Sequence, residues 1–314
     1  MTKPHYMANT IEHLIIKSKA SKSTLNNPRV AHTQLPTAMR LVRFGFNTLG
    51  RVFPKKASQI ALNIFGTPRS RARHKVSDHL IESAKVGDIT IDGMTIKTYE
   101  WGAGEKTVLL AHGWESRGTA LRAFVPDLIT AGYKVITFDA PAHGDSDGGQ
   151  ATLLSFAEVI GHILCNNTPI HAIIAHSFGG PTSIYALAKL EPKLVVPKLV
   201  LIAAPSAISV PMNEAITMMK LPPKAAIEFS KRLEKIVHSP IEKLSVPLFA
   251  KGLKIKDVLI IHDQSDRVVP INSAIEHSKA FANAKLLTTD GLGHYLMLKN
   301  EQVVERVTDF VILG

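Results

Sequence analysis

Cysteine is almost absent from this sequence of 314 residues, which contains only Cys165. A single thiol excludes an intrachain disulfide, and it leaves no cysteine pair that could form a metal site. Cys165 follows apolar residues at helical spacing, so we expect its thiol to be buried. The scarcity of cysteine favours a reducing, cytoplasmic setting.

Long apolar runs are also missing. No run of about 18 apolar residues is present, so no transmembrane helix is expected. The first twenty residues lack the apolar core of roughly 7–15 residues that a secretory signal peptide requires. The hydrophobic content of 45% and the charged content of 20% are ordinary for a globular protein. A chain of this length can form one large domain plus an appendage.

Acidic residues are nearly absent from the first quarter of the chain. Residues 1–75 contain 14 Lys and Arg but a single acid, Glu12, and therefore carry a formal charge of +13. The remainder of the chain contains 23 basic and 25 acidic residues, so all of the basic excess belongs to this segment. Residues 1 to about 35 are polar without a sustained period, and we expect them to be loosely ordered.

Apolar residues interleave with the basic ones further along this segment. Residues 38–53 and 57–65 have helical spacing and predict two short amphipathic helices, and we take residues 1–85 as a basic N-terminal extension. We favour packing of these helices on the body of the protein. The alternatives are peripheral contact with anionic lipid through residues 36–75, an organelle transit peptide and a nucleic-acid surface. No nucleic-acid partner is expected, because the basic residues are mixed with core-type hydrophobics.

From residue 88 the pattern changes to alternating strands and helices. The dipeptide Asp92-Gly93 predicts a hairpin between two strands. Near-continuous runs of Val, Ile and Leu then alternate with helical patterns, which predicts an α/β fold whose mostly parallel sheet is covered by helices on both faces. The predicted parallel strands span residues 107–111, 134–139, 170–175, 199–204, 258–261 and 284–288. The predicted helices span residues 119–131, 152–165, 178–190, 272–282 and 299–312.

One interval breaks this alternation. About fifty residues separate the predicted strands that end near Ala204 and begin near Val258, which is more than a simple crossover needs. The interval contains several methionines, the pair Pro222-Pro223 and a helical stretch. We predict a helical lid over the carboxyl edge of the sheet at about residues 206–253. Its methionines form either ordinary core or an adaptable wall for an acyl group.

The stretch Ile-Ile-Ala-His-Ser-Phe-Gly-Gly at residues 173–180 predicts a buried strand that runs into a tight turn and then a helix. Ser177 lies at the apex of that turn. This is the strand–turn–helix context of a nucleophile elbow, commonly written G-x-S-x-G. Ala175 replaces the first glycine of the pattern and is the smallest substitute for it. A helix N-terminus also supplies N–H groups that stabilise negative charge, so Ser177 is the candidate nucleophile.

A serine nucleophile needs a base, an acid that orients the base, and N–H donors for the oxyanion. His294 follows the last predicted strand and is the candidate base. Asp266 and Asp263 both lie at the end of the preceding strand, and either could orient this histidine. The backbone N–H groups of Trp114 and Phe178 are the candidate oxyanion donors.

Four further residues are expected to support this group, namely His112, Gly113, His176 and Gly179. His112 is expected to brace the loop that carries the oxyanion donor, and His176 is expected to pack away from the cleft. A third carboxylate, Asp139, is expected to stabilise its own turn rather than to orient the base. No metal ligand set is predicted.

Five landmarks in the sequence resemble the α/β-hydrolase superfamily, in which nucleophile, acid and base follow one another in that order. They are His-Gly-Trp at 112–114, Phe-Asp-Ala-Pro-Ala-His-Gly-Asp-Ser at 138–146, Ala-His-Ser-Phe-Gly-Gly at 175–180, Asp266, and Gly-His at 293–294. The resemblance covers roughly residues 86–314. More narrowly, the chain looks like bacterial serine hydrolases of the esterase type that carry a basic N-terminal helical extension. It implies the α/β-hydrolase fold, a catalytic domain at 86–314 and a triad of Ser177, Asp266 and His294. Ala142 stands where a glycine is usual in this family.

The resemblance implies a serine hydrolase that cleaves a small-molecule carboxylic ester or thioester through an acyl-enzyme, without a metal or cofactor. A carbon–carbon bond hydrolase and a cofactor-free haloperoxidase of the same fold use the same three residues and stay open. Dehalogenases and epoxide hydrolases of this fold use an Asp nucleophile, and Ser177 argues against both. A ligand-binding module without turnover is the alternative from another functional class.

Overall fold

A nine-stranded sheet organises the chain in the computed structural model, which describes residues 11–12, 37–72, 78–167, 169–190 and 194–313. In spatial order the strands are β1, β9, β8, β7, β6, β4, β5, β3 and β2. Their bounds are β1 Ile11–Glu12, β2 Lys85–Ile91, β3 Met94–Trp101, β4 Thr107–Ala111, β5 Lys134–Phe138, β6 Ile170–His176, β7 Lys198–Ile202, β8 Asp257–Asp263 and β9 Ala284–Thr289.

The helices lie between and before these strands. Their bounds are α1 Thr37–Asn47, α2 Leu49–Val52, α3 Pro54–Gly66, α4 His79–Glu82, α5 Val125–Thr130, α6 Leu153–Asn166, α7 Gly179–Leu190, α8 Ser209–Met219, α9 Pro223–Val237, α10 Val246–Phe249, α11 Asn272–Ala280, α12 Gly293–Leu296 and α13 Glu301–Leu313. Two 3₁₀ turns span Gly118–Phe124 and Ile241–Lys243.

The sheet is parallel except at one edge. Strands β2 and β3 form an antiparallel hairpin, and β3 also pairs antiparallel with β5. Asp92 and Gly93 both have positive φ, as the Asp-Gly pair predicts for a tight hairpin turn. Strand β4 lies between β5 and β6. The chain runs from β4 to β5 on one side of β4 and then returns to form β6 on the other side. Ligands of open α/β sheets bind where the strand order reverses in this way.

Helices cover both faces of the sheet, and each face has its own apolar core. One core packs α6 and α7 against the sheet, with Phe156 and Ile184 fully buried. The other packs α5 and α13, with Leu128 and Val303 fully buried. All five residues of β4 are buried, as expected for a strand covered on both sides. The predicted fold class is confirmed.

Two local predictions were wrong. The helix predicted at 119–131 is a 3₁₀ turn followed by the short α5, because Pro126 lacks an N–H and fits only in the first turn of an α-helix. Cys165 is exposed rather than buried. In α6 it follows Ile163 and Leu164, whose side chains take the core-facing positions, and the next residue of the helix points outward.

The N-terminal helices pack on the segment predicted as a lid. Helix α3 packs against α9, and its small residues Ala57 and Ala61 are buried. The Phe65 ring meets the Phe229 ring edge to face, with centroids 5.5 Å apart. The guanidinium of Arg232 donates to the Ser58 hydroxyl at 2.9 Å. These helices and α8 and α9 therefore share a third core.

The predicted loose order of residues 1–35 falls mostly outside the described residues. Within that stretch, Ile11–Glu12 pairs in parallel with Leu286 and Leu287 of β9. Across the described part of the chain, no helix has the length and apolar character needed to cross a membrane.

Candidate active site

Ser177 lies in a strained turn between β6 and α7. Its φ of 52° is in the left-handed region, which residues with side chains adopt rarely. The turn is fixed on both sides, because the Ser177 N–H donates to the carbonyl of Ile202 and the Gly180 N–H donates to the carbonyl of Ser177, each at 2.9 Å. The strand and the helix therefore hold the hydroxyl at the carboxyl edge of the sheet.

Both of the predicted supporting glycines, Gly113 and Gly179, are required by close contacts. A Cβ atom on Gly179 would lie 2.4 Å from the carbonyl oxygen of Ala111. A Cβ atom on Gly113 would lie 2.7 Å from the Cβ of Ser177. Real Cβ atoms do not make contacts this short, so neither position can accept a side chain without displacement of the serine turn or of the end of β4.

Ser177, His294 and Asp266 form one hydrogen-bonded chain. The Ser177 Oγ lies 3.0 Å from the Nε2 of His294, and the Nδ1 of His294 lies 2.8 Å from the Oδ2 of Asp266. Because a carboxylate only accepts hydrogen bonds, Nδ1 carries the proton and Nε2 is free to accept from the serine hydroxyl. His294 is 6% exposed, so bulk water competes little for either bond.

Asp266 is held as a carboxylate in spite of its burial. Burial raises the pKa of this group, but hydrogen bonds from His294 and from the N–H groups of Val268 and Val269 outweigh it, and the pKa lies below its ordinary value. The two backbone bonds measure 2.7 and 3.0 Å. A fixed negative charge therefore faces the imidazole at all but acidic pH.

The rival carboxylates form hydrogen bonds elsewhere. Asp263 accepts from four groups: the Ser265 N–H at 2.9 Å, the Ser265 hydroxyl at 2.5 Å, the Thr289 hydroxyl at 2.7 Å and the Leu292 N–H at 2.8 Å. Asp139 accepts from three: the Gly118 N–H at 2.8 Å, the Asp145 N–H at 3.0 Å and the Tyr99 hydroxyl at 3.1 Å. Within the described residues, Asp266 is the carboxylate that the His294 ring contacts.

Two buried histidines lie behind this chain of bonds. His176 Nε2 donates to the carbonyl oxygen of His294 at 3.0 Å, and its ring centroid is 4.9 Å from the His294 ring. Burial, reinforced by the neighbouring His294, lowers the pKa of His176 to about 3, so it packs as a neutral ring. His262 was not predicted from the sequence. Its Nε2 lies 3.6 Å from Asp266 Oδ2 and bonds the carbonyl of Val269.

The loop after β4 is braced by a histidine on each side. His112 accepts from the N–H of Ala140 through Nε2 at 2.9 Å, and its Nδ1 donates to the carbonyl of Gly113 at 2.7 Å. His143 accepts from the N–H of Glu115 at 3.0 Å, and Glu115 has a φ of 54°. Burial lowers the pKa of both histidines to about 4. His143 lies within the 138–146 landmark, but its bond to Glu115 joins segments whose contact the sequence does not reveal.

The N–H groups of Trp114 and Phe178 are available beside the serine. Among the described residues, neither has an acceptor within the chain. The rings of the two residues meet edge to face with centroids 5.9 Å apart, which places the two segments side by side. Unpaired donors next to a nucleophile fit the role of receiving developing negative charge.

An ion pair joins this loop to the N-terminal segment. The Arg69 guanidinium donates to both carboxylate oxygens of Glu115, each bond at 2.8 Å, and the Arg69 N–H donates to Oε1 at 2.8 Å. Burial raises the pKa of Glu115, but the bonds from Arg69 outweigh it and lower that pKa below its ordinary value. Arg69 belongs to a basic cluster in the sequence, where nothing marks it out from its neighbours.

Ser177 and His294 open into a cavity of about 480 Å³, a size that suits a small organic ligand. Its apolar walls come from α3, α8, α9 and nearby loops, and they include Leu62, Ile64, Phe65, Ile208, Met218, Met219, Leu233, Ile236, Val237 and Ile241. Polar side chains also line it, namely Gln59, Asn63, Arg69, Glu115, Gln150, Thr152, Glu214 and Tyr295. Within the described residues, no group of three or more His, Cys, Asp or Glu side chains is arranged to hold a metal ion.

Comparisons with known proteins agree with this architecture. The model of the alpha/beta hydrolase family matches residues 108–306. No curated protein matches the sequence significantly.

Solved structures with the same fold include three hydrolase-like proteins. An esterase of Pyrococcus furiosus, Pf2001, is 22% identical, with 78% of this chain and 95% of that chain covered and a TM-score of 0.57. Est1E of Butyrivibrio proteoclasticus, solved with ferulic acid bound, is 21% identical, with 72% and 96% covered and a TM-score of 0.53. The thioesterase domain from the curacin biosynthetic pathway is 16% identical, with 73% and 99% covered and a TM-score of 0.53. At these identities the likeness shows the fold alone.

Proposed function

The chain belongs to the alpha/beta hydrolase family, and we propose that it is a serine hydrolase that cleaves a carboxylic ester or thioester through an acyl-enzyme. The observation that carries this proposal is the bond chain from Ser177 through His294 to Asp266, with distances of 3.0 and 2.8 Å. The strained φ of Ser177 supports it, because such strain persists at sites where it serves the chemistry.

In the proposed first step, the Oγ of Ser177 attacks the carbonyl carbon of the substrate, and its proton passes to the Nε2 of His294. Asp266 stabilises the imidazolium that forms. The carbonyl electrons move to the oxygen, which accepts hydrogen bonds from the N–H groups of Trp114 and Phe178. Loss of one such donor typically costs about 3–4 kcal/mol of transition-state stabilisation.

The tetrahedral intermediate then collapses, and the bond to the leaving oxygen or sulfur breaks. The Nε2 proton of His294 passes to that leaving group. In the second half of the reaction, a water molecule gives a proton to His294 and attacks the acyl carbon. The bond between the acyl carbon and the Ser177 Oγ then breaks, the Nε2 proton of His294 passes to that oxygen, and the free acid leaves.

The walls of the cavity favour a substrate with an apolar acyl part. Most of its lining side chains are aliphatic or aromatic, and α8, α9 and α10 lie within the predicted lid at about residues 206–253. In this proposal residues 86–314 are the catalytic domain, acting in the cytoplasm, and the basic segment 1–85 contributes α3 to the cavity. Two of the proteins with this fold are named an esterase and a thioesterase domain.

The test is covalent labelling with a fluorophosphonate, which reacts with activated serines. We expect the wild-type protein to be labelled, and the variants Ser177→Ala and His294→Ala to lose the label. Ser83→Ala is the matched control, because Ser83 is exposed and its hydroxyl only bonds the carbonyl of Leu80. Ester and thioester panels of increasing acyl length would then define the substrate.

The alternatives give different results in the same experiment. Labelling that survives in Ser177→Ala would place the reactive serine elsewhere and contradict the proposal. Labelling without turnover of any ester or thioester, together with turnover of a diketone, would assign carbon–carbon cleavage to the same residues. Tight ligand binding without labelling or product would indicate a binding module.

A further inference from the structure

Large apolar side chains crowd the outer surface of the N-terminal helices. Six of them within residues 41–60 are more than half exposed: Leu41 67%, Phe44 69%, Leu49 65%, Val52 68%, Phe53 52% and Ile60 53%. We call these six residues the outer face. Single exposed hydrophobics are ordinary on protein surfaces, but a concentration of six along three consecutive helices marks an interaction site.

The outer face is not the result of helices that fail to pack. The opposite sides of the same helices are buried, with Phe46 of α1 and Ala57 and Ala61 of α3 in the third core. The Nε of Arg43 donates to the carbonyl of Met218 at 2.6 Å, and the guanidinium of Arg232 bonds three groups of α3. The helices are thus fixed on α8 and α9 while the six apolar side chains stay exposed.

The charged residues within the segment that carries the outer face are all of one sign. Four exposed basic residues lie between or beside its members: Arg40, Arg51, Lys55 and Lys56. The sequence from residue 13 to residue 77 contains no Asp or Glu. The Nζ of Lys56 lies 5.7 Å from the centroid of the Phe53 ring, so cationic and apolar groups form one surface. Apolar anchors flanked by Lys and Arg are the pattern of helices that lie in a membrane interface.

We propose that the outer face docks on an anionic phospholipid bilayer. The six apolar side chains would enter the headgroup–acyl boundary, and the basic residues would contact the lipid phosphates and carboxylates. A second copy of the chain is a poorer occupant, because it would bring together two basic segments that contain no Asp or Glu between residues 13 and 77. Docking concerns residues 40–60 and does not depend on the proposed chemistry.

Docking has a consequence for the cavity, which rests on the proposed function. Helix α3 carries Ile60 on the outer face and Leu62, Ile64 and Phe65 in the cavity wall. A bilayer on the outer face would therefore lie one helix away from the cavity. The chemistry that fits this arrangement is hydrolysis of an acyl ester that partitions into lipid.

The experiment is vesicle flotation with the full-length protein. The vesicles are phosphatidylcholine alone, or phosphatidylcholine with about 30% phosphatidylserine, in about 50 mM salt. We expect the protein to float with the anionic vesicles and to stay at background with the neutral ones. The double variant Phe44→Ser/Phe53→Ser and the triple variant Arg51→Gln/Lys55→Gln/Lys56→Gln should each weaken binding at least about tenfold.

Matched controls remove the same chemistry from other surfaces. They are Val86→Ser/Leu313→Ser for exposed apolar groups and Lys254→Gln/Lys285→Gln/Lys299→Gln for exposed charges, and both should bind as the wild type does. Because every substituted side chain in the two test variants is exposed, they should unfold at the wild-type temperature.

Three outcomes would overturn the docking proposal. They are background flotation of the wild type with anionic vesicles, flotation of both outer-face variants at the wild-type level, and a change of oligomeric state in the apolar variant without a change in flotation. The last outcome would assign the outer face to contact between copies of the chain. Fluorophosphonate labelling of the same samples tests the proposed chemistry separately, since it needs no vesicle.

Discussion

Arg69 and Glu115 are joined by three hydrogen bonds of 2.8 Å. Arg69 follows α3, and Glu115 follows Trp114, whose N–H is a candidate oxyanion donor. The helical segment before the sheet is therefore tied directly to the loop beside the candidate nucleophile. The pair is partly exposed, with side-chain exposures of 65% and 20%, so it contributes little to global stability. Its effect should instead be on the position of the loop.

The variant Arg69→Ala should lower kcat by about three- to tenfold and leave the unfolding temperature nearly unchanged, because a small displacement of the oxyanion donor weakens transition-state binding more than folding. Steady-state kinetics on the best ester and a thermal melt check this. Lys97→Ala is the control, since it removes an ion pair with Asp88 on the distant hairpin. Equal kinetics for Arg69→Ala and wild type would show that the ion pair does not position the loop.

The two neighbouring carboxylates Asp266 and Asp263 should give opposite kinds of defect. Asp266→Asn should lower kcat by about 10,000-fold with the fold intact, because an amide stabilises the wrong tautomer of His294 and provides no charge for the imidazolium. Rate measurements beside circular dichroism check this. Wild-type activity in Asp266→Asn would remove it from the triad.

Asp263→Asn should instead destabilise the protein. Asp263 is a fully buried acceptor of bonds from the loop and from β9, and an amide nitrogen cannot accept them. We expect the unfolding temperature to fall by a few degrees, while kcat at low temperature falls far less than in Asp266→Asn. A collapse of kcat in Asp263→Asn without loss of stability would reverse the two assignments.

Buried histidines should make the protein sensitive to acid. Burial lowers the pKa of His112, His143 and His277 to about 4 in the folded protein, from an ordinary value of 6.5. Below pH 6.5 the unfolded chain therefore binds more protons than the folded one, and stability falls as the pH drops toward 4. Each histidine contributes up to about 1.4 kcal/mol per pH unit in this window. Urea unfolding at several pH values between 7 and about 4 measures the slope.

His277 isolates one contribution to that slope. Its Nε2 bonds the carbonyl of Ala204 at 3.1 Å, and it does not line the cavity. His277→Gln should reduce the acid slope by the share of one histidine, whatever its effect on stability at neutral pH. His162→Gln makes the same substitution at an exposed position and is the matched control. An unchanged slope in His277→Gln would contradict a neutral buried ring.

The sequence predicts the sheet well because buried parallel strands are short and nearly all apolar. Strands β4 to β9 lie within a few residues of the predicted ranges. The strand–turn–helix pattern likewise predicts the turn at Ser177, because small residues at 175 and 179 are needed where the strand and helix backbones come close together. His294 and Asp266, predicted from loop positions at strand ends, lie within hydrogen-bond distance of their predicted neighbours, and their roles stay predictions.

Contacts between distant segments could not be predicted in the same way. Helix α3 packs on α9 with Ala57 and Ala61 buried, and the small size of these two residues matters only once a partner helix is known. Similarly, Arg69 is one of several arginines in a basic run, and only the fold shows that it reaches Glu115. The N-terminal segment therefore looks like an appendage in the sequence, although α3 forms part of the cavity wall.

That wall provides a test of specificity on a single helix. Leu62 lines the cavity, whereas Ile60, two residues earlier, is 53% exposed and does not line it. Leu62→Trp should fill part of the cavity and lower kcat/KM for octanoyl relative to acetyl esters by about tenfold. Apolar pockets discriminate between substrates of different length by factors of this size. Ile60→Trp adds the same ring outside the cavity and should keep the wild-type ratio.

Soluble nitrophenyl esters without vesicles keep any lipid contact of Ile60 out of this comparison. If α3 forms the wall that contacts the acyl group, Leu62→Trp lowers kcat/KM for the octanoyl ester and leaves kcat/KM for the acetyl ester near the wild-type value. An equal fall for both substrates would mean that the ring disturbs Ser177 or His294 rather than the wall. An unchanged ratio would mean that the acyl group occupies the α8 side of the cavity, and Met218→Trp would then produce the shift instead.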